Sequence, residues 1–374
     1  MLKYLKFSLF HWLSLPFMLG IILGGHWLTL GLVVLTLVIV FGDLLFGDDK
    51  TEPQYSYHWL LNLLLYSALP TLCLVFVLMM WSLAEHDLLG IGQLVQYLTG
   101  YDALMARETN ALWHYAFMCV AGGLLISLLG TIPAHELTHR VSDRAAMLTG
   151  RWLLAFSWDT SFAIEHVYGH HRYVATAKDP ASAPRERNVY QHIWHSTVGG
   201  NISAWHIEKQ RLQNKSLSVF SWHNRVLSGW LMSATLCLLA GLFAHWQGLL
   251  AFAVCALLAK ALLEIVNYVE HYGLSRQQNE QVKPYHSWNS NKRISSWASF
   301  NLTRHSHHHA RSQVPFYQLK AIPDAPELPT GYLGCILLTL LPPLWRKIMA
   351  PRLALWDQQH ANPHKIANLP ASNL

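Results

Sequence analysis

Six apolar stretches divide the chain, at roughly 7–25, 27–47, 58–83, 111–133, 226–246 and 248–269. Each runs to about 20 residues, the length that carries an α-helix across a hydrocarbon core. The first two meet at Gly24-Gly25-His26 and the last two around Gln247-Gly248, so each pair reads as a helical hairpin. Polar segments, 135–225 and 271–374, separate and follow the later spans. Within 150–225 the pattern is that of amphipathic helix, with Trp152, Phe156, Trp158 and Phe162 early and Ile202, Trp205 and Ile207 later. Gly334 to Trp345 is apolar but short and broken by Pro342-Pro343, and is expected on or in the membrane interface rather than across it. The last ten or so residues read as a frayed tail. There is no internal repeat and no low-complexity tract. The expected architecture is all-α, a single domain over 1–374, with six transmembrane helices and a helical cap.

Charge gives that bundle a direction. Loop 84–110 carries only Arg107, whereas 135–225 and 271–374 carry eleven Lys or Arg each. Six spans place both basic stretches and the N-terminus, with Lys3 and Lys6, on one side, and the positive-inside bias makes that side cytoplasmic. A bacterial-type inner (plasma) membrane is expected. Hydrophobic residues make up 52% of the chain and charged residues 13%, and mean hydropathy is +0.21. The 16 tryptophans suit two interfacial belts. The net charge of +6 is spread beside spans rather than gathered in a stripe, which argues against nucleic acid. The five cysteines lie in apolar surroundings without a C-x-x-C pair, so neither a disulfide framework, a thiolate metal site nor a fused rubredoxin is expected. The basic start, Met1 to Lys6, leads into a first span without a small-residue cleavage site, so a signal peptide is not expected.

Chemistry concentrates in histidines. Three clusters, His135-Glu-Leu-Thr-His139, His166-Val-Tyr-Gly-His170-His171 and His305-Ser-His-His308-His309, and a lone His271 in Asn267-Tyr-Val-Glu-His, all fall on the basic side. Residues four apart share a helix face, so His135 pairs with His139, and His166 with His170. His171 is turned by about 100° and is free to reach a second ion. His305, His308 and His309 span one narrow arc, with His307 turned away. Nine imidazoles exceed the needs of one ion, so two are expected. All-nitrogen ligation at a membrane surface suits redox-active iron and O₂ chemistry. His135-Glu136-Leu-Thr-His139 also fits the zinc-protease pattern H-E-x-x-H, which leaves the other histidines unused. Carboxylates that orient ligand imidazoles are sought in Glu136, Glu165, Asp179, Glu264 and Glu270, with Asp159 beside them. Glu264 lies inside a span and needs a partner, for which Lys260 is one turn away.

With Asp179-Pro-Ala-Ser182, Trp288-Asn-Ser-Asn291, Phe300-Asn-Leu302 and Leu328-Pro-Thr-Gly-Tyr332, these motifs resemble the integral-membrane alkane monooxygenases. The xylene monooxygenase hydroxylase subunit resembles them too, and both lie in the wider membrane fatty-acid desaturase and hydroxylase superfamily. The resemblance covers essentially the whole chain. It implies six transmembrane helices and two non-haem irons held by His135, His139, His166, His170, His171, His271, His305, His308 and His309. It implies insertion of one O₂ atom into a terminal C–H bond. Electrons would come from NAD(P)H through a reductase and a rubredoxin or ferredoxin-type donor. Two positions depart from the pattern: His307 stands where the family has Asp, and Val167-Tyr168 precede Gly169 where polar or basic residues are common.

The substrate expected from this is hydrophobic and enters from the bilayer, most simply an n-alkane converted to a 1-alkanol. The alternatives are methyl hydroxylation of an alkylbenzene and fatty-acyl hydroxylation or desaturation. A metal transporter would need ionisable groups along the spans, which are nearly free of charge. Phe41, Trp59 and Trp81 are candidates to plug a substrate tunnel. Lys178, Arg185, Arg187, Lys209, Arg211 and Lys215 are candidates to dock an acidic electron donor.

Overall fold

The structure, a computed structural model, describes residues 2–360, and the expected frayed tail lies outside the described residues. Among the described residues every regular element is helical, with two isolated β-bridges, Asp48 with Lys292 and Asn289 with Glu327. Five helices are long and apolar enough to cross a membrane: Lys3–Leu23, Gly25–Phe46, His58–Leu83, Leu112–Thr138 and Arg225–His271. Their cores are α1 (Leu9–Leu23), α2 (Leu30–Phe46), α3 and α4 (His58–Tyr66 and Ala68–Leu83), α5 and α6 (Leu112–Leu125 and Ile132–Thr138). Helices α7 (Arg144–Ala155) and α8 (Val189–Gln213) precede the 47-residue α9 (Arg225–His271). Then come α10 (His305–Ala310), α11 (Tyr332–Thr339) and α12 (Pro342–His360).

The fifth crossing candidate is twice the length a bilayer needs, and it is not straight. Ala244 (φ −141°, ψ 33°) and His245 (φ 48°, ψ −146°) leave helical geometry. A Cβ on Gly248 would lie 2.5 Å from the Ala240 carbonyl oxygen, although eight residues of straight helix span about 12 Å. The chain therefore turns back at Ala244–His245, slightly ahead of the Gln247-Gly248 turn that composition suggested.

Close approach of α5 to α9 fixes the centre of the bundle. A Cβ on Gly123 would meet Leu258 Cδ2 at 2.7 Å, and one on Gly122 would meet Cys255 Sγ at 3.0 Å. Small residues here let two backbones near each other where lipid supplies no hydrophobic drive. Phe76, Phe156 and Phe252 fill the space beside them edge-on, at centroid separations of 5.3–6.3 Å. Outward positions are apolar, and Trp12, Trp27, Trp59, Trp230 and Trp246 are exposed near helix ends, as interface aromatics are.

Two π-turns shape the region that carries the motifs: Ile126–Thr131 joins α5 to α6, and His166–His170 sits between Phe162–Glu165 and His171–Tyr173. A π-turn closes on residue i+5 and inserts one extra residue into the helix. The last histidine motif is fixed from the opposite side. Phe300 (φ 52°) and Asn301 (φ 56°) make a left-handed turn before α10, and Phe300 packs on Phe7, Phe10 and Phe316. The fully buried Arg304 guanidinium donates to the carbonyls of Asp49, Thr51 and Leu319. The segment that follows α2 thereby holds the start of α10.

Candidate metal centre

The fold brings His135, His139, His166, His171 and His308 into one donor group and His170, His271, His305 and His309 into a second. Within each group the donor atoms lie within 4.8 Å of one another. The first runs His139 Nε2 to His166 Nε2, 3.1 Å, to His171 Nε2, 3.1 Å, to His308 Nε2, 3.1 Å. The second runs His170 Nε2 to His309 Nε2, 3.2 Å, to His305 Nε2, 2.9 Å, to His271 Nε2, 3.2 Å. Imidazole nitrogens bound side by side at about 2.1 Å from one ion stand roughly 3.0–3.4 Å apart. Each group could therefore hold a metal ion. Asp179 sits against His170 Nδ1, which in the neutral ring leaves the Nε2 lone pair toward His309.

The grouping departs from simple helical spacing in two places. His166 and His170, four apart, belong to different groups, and His166 joins His171 instead. The π-turn explains this: the His171 amide donates to the His166 carbonyl, so residues five apart share a face. In α10, His305 and His309 share a group at ordinary i, i+4 spacing, while His308 points to the other. His307 lies outside both groups, with Nδ1 accepting from the Lys320 amide at 3.3 Å. The departure from the family pattern at that position therefore does not touch a donor.

Burial keeps these rings neutral, the form that binds metal. It pushes His139 down to about 4 and His166, His171, His305, His308 and His309 well below the ordinary imidazole value. His170 is the exception. Burial is the largest single effect and lowers it, but the carboxylates of Asp179, Glu165 and Glu270 together outweigh burial and the net shift is upward. Asp179 Oδ2 sits 2.9 Å from His170 Nδ1 and also accepts from Ser182 Oγ at 2.6 Å, while Oδ1 accepts from the Ala181 amide. The Asp179-Pro-Ala-Ser182 turn is thus a clamp on one imidazole.

Of the five carboxylates singled out in the sequence, Asp179 and Glu270 touch motif imidazoles. Glu270 Oε2 lies 3.1 Å from His305 Nε2, and Oε1 accepts from the Tyr332 hydroxyl at 2.6 Å. The other three make their hydrogen bonds elsewhere. Glu136 accepts from Arg140 and the Phe316 amide, Glu165 from Ser203, and Glu264 from Asn267 and Lys260. Lys260 bridges Glu264 to Asp159, so the charge inside that span is paired as expected. Sequence reasoning gave Tyr332, Ser182 and Arg304 no role, because their partners are distant in the chain or lie in a turn.

An apolar cavity of about 120 Å³ opens beneath the centre. Its walls come from α2 (Leu35, Ile39), α5 (Leu124), the π-turn after it (Leu128), α9 (Leu262) and α11 (Ile336), and its upper end is His135, His166 and His305. Both donor groups therefore face it. None of the three aromatics proposed as plugs lines it. Phe41 and Trp59 face outward, and Trp81 is buried with its indole N–H donating to Asp87.

These features define a multi-pass membrane protein with two adjacent imidazole sites above an apolar chamber. Residues 110–338 match the fatty acid desaturase family. Over 370 residues the chain is 33% identical to alkane 1-monooxygenase 2 of Pseudomonas aeruginosa, covering 94% of this chain and 93% of that one. It is 40% identical over 238 residues to alkane 1-monooxygenase 1 of the same species, 62% of each chain. It is 28% identical over 357 residues to the xylene/toluene monooxygenase hydroxylase component of Pseudomonas putida, 92% of this chain and 88% of that one. The chain belongs to the fatty acid desaturase family, in the branch of the alkane and xylene monooxygenases.

Proposed function

We propose that this protein is a membrane non-haem di-iron monooxygenase that hydroxylates the terminal carbon of an n-alkane to give a 1-alkanol. The observation that carries this is the apolar cavity ending on imidazoles of both donor groups. The nine histidines would hold two irons, and the irons when bound supply activation of O₂ for insertion into a C–H bond. The chain's own part is positional. A straight hydrocarbon enters laterally from the bilayer, the leucine walls exclude water, and the narrow chamber presents the last carbon to the imidazole end. Asp179 fixes the ring of His170, and Tyr332 fixes Glu270 beside His305. We read residues 1–374 as one domain in an inner (plasma) membrane. It crosses six times if the two arms of α9 each span, with termini and histidines cytoplasmic. The full-length likeness to a xylene/toluene hydroxylase component supports a second reading, methyl hydroxylation of an alkylbenzene.

Electrons would come from a rubredoxin or ferredoxin-type donor and an NAD(P)H-dependent reductase. The basic docking patch is smaller than the sequence suggested. Arg185 is held by Asp357 and Arg211 by Glu208, both as ion pairs. Among the described residues Lys178, Arg187, Lys209 and Lys215 have no such partner and remain for an acidic donor.

Metal analysis of the purified protein, with octane and xylene turnover driven by rubredoxin and its reductase, tests the reading. Expected are about two irons per chain, one for each donor group, and terminal alcohol from octane. Zinc alone, or no metal, would remove its basis. A second outcome follows from the cavity. Leu35, Leu124 and Leu262 line its apolar walls; Leu262 is nine residues, about 13 Å, before His271. Leu35→Phe is expected to lower kcat/KM for the longest accepted alkane by on the order of ten-fold or more, since one methylene in a closed apolar site is worth that much. Shorter alkanes should be spared, and a substrate series reads the shift.

A further inference from the structure

Each monooxygenase turnover consumes protons as well as electrons, because one oxygen atom leaves as water. The apolar cavity offers no route for them, but a second chamber does. It measures about 20 Å³, lies beside His166 and His170, and is lined by Ser196 of α8, Lys260, Glu264 and Asn267 of α9, and Asp159. A water molecule needs roughly 10–15 Å³ and two to four polar partners, so this chamber has room for one.

His192 is on α8, the helix that contributes Ser196 to that chamber. It is 0% exposed, and neither ring nitrogen has a hydrogen-bond partner. A buried imidazole without partners is costly, and an ordered water is the usual remedy. On α8, Ser196 is one turn beyond His192 and faces the chamber, while the flanking Gln191 and His195 line an open surface groove with Arg187. The Tyr268 ring lies 5.4 Å away. The charged groups that act on His192 are Glu264, Arg187, Asp179 and His195.

We infer that His192 is the proton inlet of the centre, passing protons from water in the Arg187–His195 groove to water in the Ser196–Glu264 chamber. A groove water gives a proton to one ring nitrogen while the other nitrogen releases its proton to the chamber water. Exchange of tautomers resets the ring, and nothing is oxidised or reduced. Burial pushes the ring down to about 4, so it transmits a proton rather than storing one. The inlet rests on the monooxygenase reading, which supplies the consumer of the protons.

Two measurements on the full chain test it. In the wild type, X-ray radiolytic hydroxyl labelling should oxidise His192 despite its burial, because a bound water lies against it. Absence of label overturns the inlet whether or not turnover is seen. His192→Gln and His192→Phe, with metal content as in the wild type, should turn over octane roughly ten- to a hundred-fold more slowly. They should also show a larger solvent deuterium isotope effect, and His192→Gly, whose vacated space admits imidazole, should regain rate with added imidazole beyond any effect on the wild type. Turnover like the wild type, or a slow His192→Gly variant that imidazole does not lift, overturns the inlet. If the wild type yields no product while His192 is labelled, it is the monooxygenase reading that fails.

Discussion

Alanine at His170 is expected to leave about one iron per chain, whereas alanine at the next residue, His171, leaves about two. The two side chains are adjacent in sequence but serve different donor groups. Removing His170 reduces a set of four imidazoles to three and strips Asp179 of its partner. Removing His171 reduces a set of five to four, still enough nitrogen for an ion. Product formation should fall on the order of a hundred-fold or more in both, because loss of a ligand exceeds the 10–100-fold typical of its supporting groups. Metal analysis with Mössbauer spectra separates them. His166→Ala should resemble His171→Ala and not His170→Ala. Ordinary α-helical spacing, which pairs His166 with His170, requires the opposite result. Equal metal loss and equal spectra in His166→Ala and His170→Ala would rule out the π-turn grouping.

Asp179→Asn is expected to lower turnover 10- to 100-fold with the protein still folded. The carboxylate fixes which nitrogen of His170 carries the proton, and so leaves Nε2 free to face His309. An amide of the same shape can present its NH₂ to Nδ1, which turns the tautomer round and puts the proton on Nε2. The Ser182 and Ala181 contacts hold Asp179 in place, so the backbone turn should survive. Asp179→Ala should lose more metal than Asp179→Asn, because the ring then has no partner at all. Iron content and kcat measured on both variants check this; full activity in Asp179→Asn would mean that the clamp does not set the tautomer.

Much of this was legible in the chain because it depends on local pattern. Apolar runs of bilayer length give helices whatever surrounds them, and the charge asymmetry of the loops needs no tertiary contact. The four histidine motifs are local too, and each lies in the polar cap side of the bundle. The Lys260–Glu264 pair followed from one helical turn. The sequence did not reveal how the imidazoles divide between two donor groups, because that depends on a π-turn whose extra residue leaves no mark in composition. Nor did it distinguish Glu270, which meets His305, from Glu136 and Glu165, which do not; each is a glutamate beside a histidine. The same holds for His192, whose complete burial nothing in its local sequence marks.

The sequence by itself determined an all-helical membrane chain with basic, histidine-rich polar segments, since hydropathy and charge act residue by residue. Only the tertiary structure decided which nitrogens converge, where the apolar cavity ends, and which polar groups are left without partners. These depend on the packing of α2, α5, α9 and α11 around one space, and on contacts such as Arg304 with Asp49 that span more than 200 residues.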